Sequence, residues 1–349
     1  MSAEKLKVAI YGAGAMGTVL GALLSDCASD AEVDLISRNR AHVEGLKKSG
    51  AHVVCTASGS EFTVTVNALL PEEMQKKYDV VFLMTKQKSN AETVKYLSKY
   101  LSEDGIVCTT QNGLPEASVA AVIGADRTYG AAVAWGATFV GAGTVELTSS
   151  PEAMTMEIGS YSGRGDKLSL LKELLESVGT KTGNKNFVKV TDNLMGGRWS
   201  KLAINAAFSG LSVVTGLTFG AIAEKRKTRK LALGILRECF AVTRAAGIKL
   251  GSMQGHDMEK LLGKKGFFGT QAALFILPIA MKKHKGLVSG MLKDVQKGKK
   301  CEIDYIDGAV CREGERYGVD TPLCGRVVEL VHGIENGLYE ISFRNVDFF

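Results

Sequence analysis

The chain has 349 residues, of which 45% are hydrophobic and 23% charged, enough for two domains with separate cores and too apolar for a disordered chain. Its net charge of +6 is too small to mark a nucleic-acid binder, and the basic runs EKRKTRK (224–230), KKHK (282–285) and KGKK (297–300) carry no interleaved aromatics. Solvated helix faces and a mild field for small anions are expected instead.

In chain order, residues 6–11 read as a buried strand, followed by the turn GAGAMG and a helix over 15–25. A second strand ends in LISRNR, and the helix after it closes with Gly50 behind two lysines. HVVCTA and EFTVTV pattern as a short hairpin. DVVFLMT (79–85) and GIVCTTQNG (105–113) are two further buried strands, with the helix SNAETVKYLSKYL between them. Strands alternating with helices predict a parallel sheet with right-handed crossovers. Residues 128–158 change character and predict antiparallel strands.

Beyond about residue 190 only helical periodicity remains, in LMGGRWSKLAINAAFSGLSVVTG, LALGILRECFAVTRAAGI and EIDYIDGAVCREGERYGV, each expected as one helix. The fold class is therefore α/β, with a Rossmann-type dinucleotide-binding domain over 1–190 and an all-helical domain over 191–349. The strand and glycine turn begin within ten residues of the start, where a signal peptide would lie. The longest apolar run, QAALFILPIAM, is too short to span a bilayer, so a cytoplasmic protein without membrane contact is expected. Seven cysteines without a C-x-x-C pair, and five histidines without an i, i+4 pair, predict reduced thiols and no metal site.

The glycine turn has the spacing G-x-G-x-x-G between a strand and a helix, the context in which a dinucleotide is held. Gly12 permits the tight turn, Gly14 lets backbone approach a pyrophosphate, and Gly17 lets the helix lie against the sheet. A turn needed only for packing is the plainer alternative. NAD-binding sheets usually carry an acid at the end of the second strand. Here Ser37, Arg38, Asn39 and Arg40 stand there, and an arginine can grip a 2′-phosphate, which points to NADP(H).

Four more segments place polar residues among apolar ones. Lys86 and Asn112 follow the ends of parallel strands, Lys201 and Asn205 stand at i and i+4, and Glu302 precedes the stripe Ile303, Ile306, Val310. A lysine ammonium poised on a ketone oxygen would stabilise the alkoxide left by hydride arrival and then protonate it.

The order of G-x-G-x-x-G, a lysine after a buried strand, QNG, W-x-K-L-x-x-N and E-I-D-Y-I-x-G resembles the ketopantoate reductase family, and the tail REGERYGVDTP is similar to it too. The resemblance runs from about residue 7 to 332. It implies a Rossmann domain, a helical domain like the C-terminal part of 6-phosphogluconate dehydrogenase, a cleft for NADPH and a 2-oxo acid, and reduction of 2-dehydropantoate to pantoate. It makes Lys201 the general acid and Glu302 the group that orients its ammonium. Asn205, Asn112 and Ser289 would bind the small-molecule substrate. The cofactor would meet Gly12, Ala13, Gly14, Ala15, Met16, Gly17, Arg38, Lys86, Asn112 and Glu302.

Four positions depart from the family pattern. Gly290 stands where a serine is usual, with Ser289 one residue early, a shift of ~100° on a helix. Ser209 and Gly210 replace an Asn-Pro pair, and Phe219 replaces an asparagine. A less polar pocket could favour a bulkier or more apolar oxo acid. The segment 263–286 is longer and more apolar than usual, which points to core packing or a subunit contact, with a homodimer possible. An NADP(H)-sensing protein without catalysis and a dehydrogenase acting on a C–N bond are the competing readings.

Overall fold

The opening apolar run becomes strand β1 (Leu6–Tyr11), which lies inside an eight-stranded sheet in the computed structural model, where residues 4–251 and 257–349 are described. Strands β2 (Ala31–Ile36) and β6 (Tyr78–Leu83) flank β1 in parallel. On one side β5 (Asn67–Leu69) extends the sheet beyond β2, and on the other β7 (Leu101–Thr109) and β8 (Thr128–Val133) follow β6, all in parallel. The parallel strands read as unbroken apolar runs because both faces are covered. Val8, Ile10, Val80, Phe82, Ile106 and Cys108 enter one core cluster, while Ala9, Tyr11, Val81, Leu83 and Val107 enter another. Successive residues point to opposite faces, so every position had to be apolar.

Helices α1 (Ala15–Cys27), α2 (Arg40–Ser49), α3 (Asn90–Leu97), α4 (Glu116–Ile123) and α5 (Leu168–Thr182) complete this part of the chain. The hairpin forms as β3 (Ala51–Cys55) against β4 (Ser60–Val64). β9 (Ala137–Gly141) and β10 (Thr144–Leu147) pair antiparallel, and β10 joins β3 in parallel to make a second, four-stranded sheet. β11 (Met156–Ser160) runs antiparallel to β8, with the short β12 (Val188–Val190) at the edge. The antiparallel expectation for 128–158 thus holds within each pair, while β8 and β10 also border parallel neighbours.

Two compact units result. The first takes residues through Gln111 and Pro115–Leu194; the second takes Asn112–Leu114 and Met195–Phe349, so the division falls after Leu194 rather than after residue 190. The second unit is helical: α6 (Leu194–Asn205), α7 (Leu211–Thr215), α8 (Phe219–Glu224), α9 (Arg226–Ala245), α10 (Met258–Leu262), α11 (Gly266–Ala280), α12 (Gly290–Gln296), α13 (Asp307–Tyr317) and α14 (Pro322–Glu335).

Two of its long helix patterns are interrupted. A π-helical turn, Ala206–Gly210, separates α6 from α7, with all five residues buried and with α8, α9, α12, α13 and α14 packed on it. An added residue per turn leaves no mark in a sequence where every residue is small or apolar. EIDYIDG also breaks: Ile303–Tyr305 is a 3-10 turn, Ile306 sits at φ −110° and ψ −90°, and α13 starts at Asp307. Ile303, Ile306 and Val310 are buried despite the break. Core packing accounts for only half of the 263–286 segment. Ala273 and Leu277 of α11 are buried, whereas Phe267, Phe268, Phe275 and Ile279 are exposed.

Candidate active site

The first unit carries the glycine turn at the end of β1. The amides of Gly12 and Ala13 both donate to the Ile36 carbonyl at 2.9 Å, which ties the turn to the end of β2. Gly12 has φ +101°, and a Cβ there would come within 2.6 Å of the Thr85 nitrogen. A Cβ on Gly17 would stand 2.6 Å from the Gly12 carbonyl oxygen. These two glycines are required by the protein's own packing. Gly14 is not, because the nearest atom to a Cβ there is 4.0 Å away. The space beside Gly14 is open.

Gly14 is also the N-cap of α1, and no side chain caps it and no acid occupies the first turn. The first amides of the helix, at Ala15, Met16 and Gly17, therefore offer hydrogen-bond donors and a partial positive charge to an anion. This is the donor arrangement that a pyrophosphate needs.

At the end of β2, Asn39 caps α2 by accepting a 3.2 Å bond from the His42 amide. Arg38 is exposed, and its charge acts on the Tyr11 hydroxyl, whose pKa burial raises and Arg38 pulls back. Arg40 pairs with Glu72 at 3.2 Å. Of the two arginines, Arg38 is the one without an ion pair among the described residues.

Lys86 and Asn112 are both exposed, and a buried polar network that sequence reasoning missed positions their loops. The Gln111 carboxamide donates to the Thr85 carbonyl and to Asn90 Oδ1, each at 2.7 Å. Its oxygen accepts from Asn90 Nδ2 and from Thr109 Oγ1, each at 2.9 Å. Asn90 also donates to Ser118 at 3.0 Å. Every polar atom of the Gln111 side chain is used, so the backbone on either side of Lys86 and before Asn112 is fixed. The signal was a glutamine at the end of an apolar strand.

In the second unit Lys201 and Asn205 share a face of α6, as their i, i+4 spacing requires. Burial pushes the Lys201 ammonium down to about pKa 8, and the positive charge of Arg198 adds to the shift. Arg198 is itself buried and lies three residues earlier on the same face. That spacing from Lys201 was legible and went unused. Glu302, half-buried, stands as N-cap of the Ile303–Tyr305 turn. Ser289 is buried, and its hydroxyl accepts the Met291 amide at 3.1 Å as the cap of α12. The structure therefore gives Ser289 a structural task, with its hydroxyl proton left over for a second partner.

Asp307 was also missed. Fully buried, neither carboxyl oxygen has a hydrogen-bond partner among the described residues, and a Cβ on Gly210 would be 2.9 Å from its Oδ2. Burial, and then the charge of Glu238, hold its pKa well above the carboxylate range, so it is a neutral acid packed on the π-helical turn. Its spacing of four from Ile303 is the signal that could have found it. Among the described residues no cluster of three or more His, Cys, Asp or Glu is arranged to hold a metal.

Comparison with known proteins identifies the family. The sequence pattern described as "Ketopantoate reductase PanE/ApbA" matches residues 8–163, and the pattern described as "Ketopantoate reductase PanE/ApbA C terminal" matches 193–335. A 2-dehydropantoate 2-reductase of Pyrococcus horikoshii is 26% identical over 91% of this chain and 94% of its own. One from Mesorhizobium japonicum is 26% identical over 96% of this chain and 100% of its own. Among solved structures, D-mandelate dehydrogenase with NADH and anilino(oxo)acetate is similar at a TM-score of 0.78 and 25% identity, covering 95% of this chain and 99% of that one. The 2-dehydropantoate 2-reductase of Geobacter metallireducens is similar at a TM-score of 0.75 and 26% identity, over 94% and 99% of the two chains. With both halves of the pattern present in order along the sequence, this chain belongs to the ketopantoate reductase family.

Proposed function

We propose that the chain reduces a 2-oxo acid to the 2-hydroxy acid at the expense of NADPH, and that its substrate is 2-dehydropantoate, giving (R)-pantoate for pantothenate synthesis. The observation that carries this reading is Lys201, whose ammonium is brought to a pKa of about 8 by burial and by Arg198. An acid with that pKa is charged at neutral pH and gives up its proton far more readily than an exposed lysine, whose pKa is about 10.4.

Gly12 to Gly17 and the first turn of α1 would hold the pyrophosphate, and the Arg38 guanidinium would hold the 2′-phosphate. Lys86 and Asn112 would border the nicotinamide end, and the bound cofactor would supply the hydride. The ammonium of Lys201 stabilises the negative charge that grows on the ketone oxygen, then donates its proton to that oxygen. The neutral amine regains a proton from water, which restores the starting state. Asn205, one turn further along α6, would hydrogen-bond the substrate, and Glu302 would orient the ammonium and help seat the cofactor.

One set of observations favours a second substrate within the same chemistry. Phe219 is buried with its ring centroid 5.4 Å from that of Phe208, and the Ser289 hydroxyl is already used as a cap. A phenyl ring at 219 in place of an asparagine leaves one polar group fewer for a hydroxylated side chain, and the mandelate dehydrogenase likeness points the same way. Initial rates of NADPH and NADH oxidation with 2-dehydropantoate, 2-oxoisovalerate and phenylglyoxylate decide the matter. The highest kcat/KM should fall to 2-dehydropantoate with NADPH. A preference for phenylglyoxylate would select the second reading, and no turnover with any 2-oxo acid would leave a cofactor sensor or an enzyme of C–N bonds.

A further inference from the structure

Helix α11 (Gly266–Ala280) is apolar on both sides, and only one side is covered. Ala273 and Leu277 are buried inward, with Met281 just past the helix end. On the other side Phe268 is 87% exposed, Phe275 73% and Ile279 59%, with Phe267 at 72% beside them. Residues 268, 275 and 279 are spaced by seven and four, so they form one stripe along the helix. An uncovered apolar stripe of this kind marks a surface that something else covers.

The charges flanking α11 along the chain are of one sign, and of these cations Lys285 is paired with Glu224 of α8 at 2.9 Å. Lys264 and Lys265 precede the helix and Lys282 and Lys285 follow it, all exposed, and residues 263–286 contain no Asp or Glu. From α9, Arg226, Arg229 and Lys230 line a surface cavity together with Gln271, Leu274 and Phe275 of α11. The Nε of Arg229 is buried without an acceptor among the described residues. Arg226, Lys230, Lys264, Lys265 and Lys282 make no ion pair among the described residues.

This pattern discriminates between occupants. A second copy laid along α11 would set lysines on lysines in either direction, because both helix ends carry the same charge. A surface of anionic phospholipid satisfies both parts at once, with Phe and Ile at the acyl boundary and the cations on the phosphates. No helix of the described residues is long and apolar enough to cross a membrane, and at 15 residues α11 suits lying in the interface rather than spanning it. The expectation of no membrane contact rested on span length alone. We propose that the exposed stripe of α11, with its rim of unpaired cations, docks this protein on anionic bilayer surfaces.

Flotation of the full chain with vesicles tests this directly. The chain should float with phosphatidylcholine vesicles containing about 30% phosphatidylserine, should stay behind with phosphatidylcholine alone, and should be released as salt rises to about 0.5 M. The double variant Phe268→Asp/Phe275→Asp should bind at least ~10-fold less. Both side chains are exposed, so its Tm and circular dichroism should match wild type. Lys264→Glu/Lys282→Glu should weaken binding and flatten its salt dependence. Failure of wild type to float with anionic vesicles at low salt would overturn the proposal, as would equal flotation of the Phe variant. A wild-type dimer by light scattering that the Phe268→Asp/Phe275→Asp variant converts to monomer would also overturn it and assign the stripe to a second copy.

Discussion

Lys201 and Asp307 are each defined by what burial does to a charge. With Lys201 at a pKa of about 8, kcat/KM for reduction should fall above about pH 8, as the free enzyme loses the proton it must donate. Replacing Arg198 with Met removes a positive neighbour, so the alkaline limb should move to higher pH. A limb that stays put would show that Arg198 does not act on Lys201. Asp307 works in the other direction. The folded chain keeps it protonated, whereas the unfolded chain releases that proton above about pH 3.9. The unfolded state then binds fewer protons, so stability declines as pH rises from there, by up to ~1.4 kcal/mol per pH unit, until Asp307 itself ionises. Asp307→Asn should flatten this slope in urea unfolding measured from pH 4 to 7, to about the extent that the group accounts for it. Arg38→Ala should raise the KM for NADPH at least ~10-fold and leave that for NADH nearly unchanged, as loss of a charge-assisted phosphate contact requires.

At the scale of elements, the glycine turn separates packing from binding. Gly17→Ala places a methyl 2.6 Å from the Gly12 carbonyl oxygen and should cost about 1–3 kcal/mol of stability. Gly14→Ala meets nothing nearer than 4.0 Å, so its Tm should match wild type while NADPH affinity falls; an unchanged affinity would remove Gly14 from the cofactor cradle. This turn was legible because its constraint is local: three glycines at fixed spacing, a strand before, a helix after. The parallel strands were legible for a similar reason, since burial of both faces leaves unbroken apolar runs. The π-helical turn at Ala206–Gly210 and the break at Ile306 were not, because both answer to partners far away in sequence. Gly210 lies against Asp307 and Val327, about one hundred residues on, as the numbering shows. The Gln111 network is intermediate: the glutamine was visible, but its partners Thr85 and Asn90 come from the stretch between β6 and the start of α3. The same holds for α11, whose apolar character was plain while its uncovered side was not.

Across the whole molecule, the two units have separate cores, one built on the sheet faces and one on the packed helices around Phe208, Leu236 and Val327. The residues proposed to bind phosphate belong to the first, and Lys201, the proposed proton donor, belongs to the second. Cofactor affinity and proton transfer should therefore be separable by mutation. The most direct test is Lys201→Ala, with kcat for reduction of the best 2-oxo acid measured beside the Kd for NADPH by fluorescence titration. The account predicts a kcat at least ~100-fold below wild type with Kd changed by less than about threefold, as loss of a general acid without loss of ground-state cofactor binding requires. Turnover equal to wild type would contradict it.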